Sequence, residues 1–212
     1  MTAYLVNYYK YMFQAVASHI GMIALVMAFA IPISVGLSVL IHIFRRLCVP
    51  VMTVLEILYT IPSLAFFAIL VPISGLGVKT AVIVLVCYSL FFLVRNFLAG
   101  LEGIDPLIVE AARAMGYSRA GMFLKIELPL AMPALIAGTR LACLSSIGIA
   151  CIAYAIGAGG IGSILFEGMR QMSYVKIAWG AILAVTLSVA VNNLMAEAER
   201  YFAGRADPGR AE

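Results

Sequence analysis

Glu56, Arg95 and Arg140 are the residues whose chemistry stands out, because each interrupts a long apolar stretch. A charge in such a setting is costly in lipid, and by default it marks a substrate path, an ion pair or a side chain reaching for the interface. All three map toward the same end of their stretches, which favours reaching for the interface, or pairing with one another, over direct contact with a substrate. Tyr59, Tyr88, Tyr154 and Trp179 add aromatic faces of the kind that hold a quaternary ammonium group. Taken singly, each is more simply read as an interfacial anchor or a packing residue.

Other patterns point to chemistry that their surroundings exclude. Gly157, Gly159 and Gly162 satisfy G-x-G-x-x-G, but a dinucleotide site needs a preceding strand and an acid about 20 residues on. An apolar stretch precedes these glycines and no such acid follows. With Gly160 they read as close packing or a flexible gate. Gly77-Val78-Lys79-Thr80 lacks the Gly-Lys adjacency of a phosphate-binding loop. His19 and His42 fall at opposite ends of one apolar stretch, too far apart to share a metal, and Cys48, Cys87, Cys143 and Cys151 have no C-x-x-C spacing. No nucleophile, base and orienting group are grouped, so enzyme chemistry in this chain has no support.

The elements that position these residues follow from composition. Of 212 residues, 64% are apolar and 11% charged, and the mean hydropathy is +1.08. The 14 basic and 10 acidic side chains cannot cover a water-soluble domain of this size, so the fold is all-α and embedded in a membrane. About 20 apolar residues are needed per helical crossing. Five stretches qualify: about Ile20–Phe44, Val49–Pro72, Thr80–Leu101, Leu130–Ile156 and Ile177–Met195. Pro32 and Pro62 fall inside crossings and favour kinks. The first twenty residues lack the pattern of a removed signal peptide.

Charge sets the orientation. With the N-terminus outside, ten basic residues fall on the inner side (Arg45, Arg46, Arg95, Arg113, Arg119, Lys125, Arg140, Arg200, Arg205, Arg210) and four outside (Lys10, Lys79, Arg170, Lys176). This divides the chain into an extracytoplasmic or interfacial segment 1–19, a membrane domain 20–200 with a cytoplasmic loop at about 102–129, and a cytoplasmic tail 201–212, disordered from Gly204. No basic run interleaved with aromatics suggests nucleic acid, and no internal repeat is visible, as expected for one half of a pathway.

The loop predicts two short helices. Asp105 caps the first, with Pro106 in its first turn; Gly116 ends it, Ser118 caps the second, and Pro129 and Pro133 mark the start of the fourth crossing. Glu110, Ala111, Ala112, Gly116, Ile126, Leu128 and Pro129 follow E-A-A-x3-G-x9-I-x-L-P without a gap. Slim alanines, a sharp turn and a return into the membrane make a knob suited to a cleft on a cytosolic partner.

This pattern resembles the EAA loop of the permease subunits of ATP-driven (ABC-type) importers. Thr60-Ile61-Pro62-Ser63-Leu64-Ala65, Arg95-Asn96, Glu127 to Pro133 and Ile156 to Gly162 are similar to osmoprotectant permeases for glycine betaine, carnitine and choline; methionine-type permeases share the general plan. The resemblance implies a type I, MetI-like permease of a bacterial or archaeal inner membrane. It implies a second permease copy or close homologue, a cytosolic ATPase dimer that holds ATP and magnesium, and a separate extracytoplasmic binding protein. Glu110, Ala111, Ala112, Gly116, Ile126, Leu128 and Pro129 become the coupling loop. Tyr59, Ser63, Tyr88, Tyr154, Gly157, Gly159 and Gly160 become candidates for the path or gate. An ion-driven carrier would leave the loop unexplained.

Overall fold

The computed structural model describes residues 2–206, and side chains from 6 to 204. The described residues form nine α-helices: α1 (Thr2–Ile43), α2 (Cys48–Thr60), α3 (Ser63–Ser74), α4 (Val78–Glu102), α5 (Pro106–Ala114), α6 (Arg119–Met122), α7 (Leu128–Ile152), α8 (Gly162–Arg170) and α9 (Tyr174–Ala206). Four continuous spans are long and apolar enough to cross a bilayer, and α2 with α3 supplies a fifth only as a broken one.

Helix α4 is the centre of the bundle, with α1, α2, α3 and α7 packed around it. Small residues permit the closest contact. A Cβ on Gly138 of α7 would sit 2.9 Å from Asn96 Cβ and 3.1 Å from Phe92 O, and one on Gly100 only 2.5 Å from Ala134 Cβ. The core between them holds Phe67, Leu85, Leu93, Phe97 and Ile147, all fully buried. Helix α9 packs on α7 and α8 and leaves much of its surface uncovered.

The expected second crossing, Val49–Pro72, is not one helix. Pro62 disfavours helical backbone at the residue before it, and Ile61 is extended (φ −63°, ψ 126°), so α2 and α3 meet at 99°. The expected kink at Pro62 is therefore a full break, whereas α1 carries Pro32 without interruption. Helix α1 begins eighteen residues before Ile20, and no break marks the boundary between 1–19 and the first crossing.

The fourth crossing also starts early. From Arg119 the chain passes through α6 and a π-helical turn, Phe123–Glu127, directly into α7. Pro129 has no N–H to offer the preceding turn, and the Leu128 N–H reaches back five residues to Phe123 O. Helix α8, which the hydropathy pattern does not reveal, fills the connection before α9. Residues 204–206, expected to be disordered, continue α9. The remainder of the expected tail, 207–212 with Arg210, lies outside the described residues.

Candidate functional site

At one end of the bundle α5 and α6 form the expected helical knob. Asp105 Oδ1 accepts the Leu107 N–H at 2.8 Å, with Pro106 in the first helical turn. Gly116 ends α5 at φ 83°, a left-handed conformation that strains any residue with a Cβ. Ser118 Oγ accepts the Gly121 N–H at 3.1 Å. Glu110 and Ala111 face outward while Ala112 is buried, and Glu110 has no ion pair among the described residues. Leu107 and Met115 stand about them 70% and 69% exposed. Ile126 and Leu128 are half-buried and Pro129 exposed where this knob joins α7.

A pair that sequence reasoning missed anchors the knob. His42 Nε2, one residue before the end of α1, lies 3.3 Å from Glu127 Oε2 in the π-helical turn. Glu127 is buried, so the imidazole is the partner that makes its burial tolerable. Eighty-five residues separate the two in sequence, which left no local signal. A cavity of about 1030 Å³ opens beside them, lined among others by Arg113, Tyr117, Arg119 and Phe123.

The path candidates divide into two groups. Tyr59 and Tyr88 meet edge-to-face, 5.8 Å between centroids, and Tyr59 also stacks on Phe91 at 4.9 Å and meets Phe92 at 5.0 Å. Tyr88 is buried and donates to Ile61 O at 2.6 Å, satisfying a carbonyl that the break at Pro62 leaves without a helical partner. At 1.5 Å per residue Tyr88 lies ~15 Å from Val78 and ~21 Å from Glu102, near the middle of α4. Ser63, the first residue of α3, is half-buried beside this break.

Tyr154 belongs elsewhere. It lies beneath Arg170 and beside Phe166 at the opposite end of the bundle from the knob. There the Gly77 N–H donates to Ile156 O at 2.7 Å. Gly157, Gly159 and Gly160 take φ of 81°, 76° and 75°, a left-handed run that only glycine adopts without strain. His19, expected at the end of its crossing, is instead deep in α1 and fully buried against this turn. Trp179 is half-buried and packs with Met12, Ala15 and Ile164.

The three intramembrane charges do not pair with one another. Arg140 reaches Glu199 of α9 at 3.4 Å. Arg95 lies over the Phe91 ring at 5.6 Å, and neither it nor Glu56 has an ion pair among the described residues.

An all-α bundle of apolar crossings with a capped knob at one end is the fold of a multi-pass membrane protein. Residues 28–205 match the family described as the binding-protein-dependent transport system inner membrane component, and the chain belongs to that family. It is 35% identical to a choline transport system permease protein, OpuBD, of Bacillus subtilis, with 92% of this chain and 89% of that one covered. It is 32% identical to the osmoprotectant import permease protein OsmW of Salmonella typhimurium (91% and 92% covered) and 34% identical to the carnitine transport permease protein OpuCD of Listeria monocytogenes (92% and 90%). Among solved structures it is similar in fold to the methionine ABC transporter MetNI in inward-facing form. The TM-score is 0.79 at 20% identity, with 90% of this chain and 95% of that one covered. An amino acid ABC transporter solved with histidines gives 0.72 at 15% identity, covering 95% and 96%.

Proposed function

We propose that this chain is the permease subunit of an ATP-driven importer of quaternary-ammonium osmoprotectants such as glycine betaine, carnitine and choline. The observation that carries the reading is similarity above 30% identity, over about nine-tenths of the chain, to permeases named for choline, carnitine and osmoprotectant transport. A methionine-type amino-acid permease is the second reading, and similarity of fold at 20% identity is its support.

In this proposal the chain itself is not an enzyme. ATP and magnesium bind a cytosolic ATPase dimer, and the α5–α6 knob, through Glu110, Ala111, Ala112 and Gly116, docks on it. A second permease copy or close homologue completes the path, membrane lipid surrounds the pair, and an extracytoplasmic binding protein delivers the solute. Ten basic residues against four support an N-terminus outside and a C-terminus in the cytoplasm. ATP binding draws the docked knobs together, and the helices exchange inward- and outward-open states because nucleotide and solute each favour one of them.

The test is uptake by vesicles holding the complete transporter. Accumulation of radiolabelled betaine, carnitine or choline that requires ATP and the binding protein is expected. Uptake confined to methionine or another primary amino acid would overturn the substrate reading. Ion-driven uptake by this chain alone would overturn the class.

A further inference from the structure

An acid and a base, neither with an ion pair among the described residues, share one level of the bundle, a turn away from an exposed tyrosine. Glu56 lies three residues before Tyr59 on α2, and Arg95 four residues after Phe91 on α4. Tyr59 stacks on Phe91, and Leu55 shares a buried cluster with Val94 and Leu98. The two helices therefore run antiparallel at this contact, which brings positions 56 and 95 to the same height. Both side chains are exposed on the surface of the chain. An acid and a base left bare toward hydrocarbon would be costly, which makes this face a candidate for a functional one.

Arg95 does not extend toward the near end of its helix. It lies seven residues, ~10 Å, from the end of α4 at Glu102. A snorkelling arginine would extend toward that end. Its guanidinium instead turns back along the helix onto the ring of Phe91, 5.6 Å from the centroid, toward the middle of the bundle. Phe91 thus touches the guanidinium and the ring of Tyr59 alike. Tyr59 also meets Tyr88 and Phe92 in T-shaped contacts, and the residue is 37% exposed.

We propose that Tyr59 and Arg95 form a binding step for a zwitterionic quaternary-ammonium solute: the exposed tyrosine ring takes the trimethylammonium group and the guanidinium takes the carboxylate. An aromatic face attracts a cation that has no N–H to donate, and a guanidinium binds a carboxylate with paired, charge-assisted hydrogen bonds. Glu56, at the height of Arg95, offsets the guanidinium charge, so that level suits a solute of no net charge. Tyr88 is a positioning residue: buried, it ties the break at Ile61 to α4 and packs against the Tyr59 ring in a T-shaped contact. Choline has the trimethylammonium group without the carboxylate, so it uses the tyrosine half alone.

This assignment rests on the proposed osmoprotectant reading, and the experiment separates the two. Vesicles containing the complete transporter are assayed for uptake of betaine, carnitine and choline, with complex assembly checked by copurification. Arg95→Gln should lower betaine and carnitine uptake by at least about tenfold relative to choline, the size expected for a lost charge-assisted pair. Arg95→Lys should restore part of the difference. Tyr59→Leu should depress all three solutes and Tyr59→Phe should retain them, which tests the aromatic half even where the Arg95→Gln complex fails to assemble. Equal loss of all three solutes in an assembled Arg95→Gln transporter, or no loss, would overturn the Arg95 assignment. Full transport by Tyr59→Leu would overturn the tyrosine half. No uptake of any of the three by the unmodified transporter would remove the osmoprotectant reading and this site with it.

Discussion

Nδ1 of His19 accepts the backbone N–H of Ile161 at 3.3 Å, joining the middle of α1 to the glycine-rich turn before α8. With that nitrogen accepting, Nε2 carries the proton and donates to Ile147 O of α7 at 3.2 Å. One imidazole therefore ties three parts of the chain together. Its replacement by alanine leaves a buried amide unpaired, a loss of about 1–3 kcal/mol. Thermal unfolding of the purified chain in detergent should show the lower midpoint, and an unchanged midpoint would mean the contact contributes nothing.

Gly160 tests the same contact from the other side. A Cβ there would lie 2.7 Å from His19 Nδ1, at a φ of 75° that already disfavours one. Gly160→Ala should cost about 1 kcal/mol or more, since strain and displacement of the ring add. In the double variant with His19→Ala the displacement part should vanish, so the two losses should fall short of their sum.

Close helix packing predicts opposite outcomes at two glycines of α7. Gly138→Ala pushes a methyl against Asn96 and the Phe92 carbonyl, and overpacking of this kind costs about 1–3 kcal/mol. Gly148 has open space around it, so Gly148→Ala should be neutral or stabilising by up to about 1 kcal/mol. Denaturation in detergent compares them directly. Equal effects would contradict the α4–α7 packing.

The α5–α6 knob should transmit force without choosing the solute. Glu110→Lys reverses an exposed charge, and Gly116→Val forces a β-branched residue to φ 83°. Both should weaken ATPase docking or separate ATP hydrolysis from uptake, while the binding protein keeps its affinity for solute. Solute-stimulated ATPase activity, uptake and copurification measured together decide it. Normal values in both variants would reduce the knob to a connector.

Orientation can be read by labelling. Single cysteines at Ser74 and Arg119, in a chain freed of its four native cysteines, should react with an impermeant reagent from opposite sides of the membrane. Reaction from one side would rule out α4 as a full crossing, and the five-crossing arrangement with it.

Much of this architecture is written locally. Hydropathy over about 20 residues is a property of one segment, so the apolar crossings, and with them the membrane as solvent, are legible without any tertiary contact. Helix capping is equally local: Asp105, Gly116 and Ser118 act on backbone groups within three residues of themselves, and the knob they shape matches its expected form. Other features needed partners from far along the chain. Pro62 signals a disturbed helix, but a bend of 99° depends on Tyr88 to satisfy the freed carbonyl. Helix α8 is too short and too polar on one face to stand out by hydropathy, and it exists because Gly168 and Gly180 let it pack against α9. The pairing of His42 with Glu127 and of Arg140 with Glu199 is likewise tertiary. The sequence by itself determined which segments are apolar enough to cross a membrane and where the knob's helices are capped, because those energies are summed over neighbours. Only the tertiary structure decided which charge meets which partner, because such a contact is set by packing between helices that the chain visits tens of residues apart.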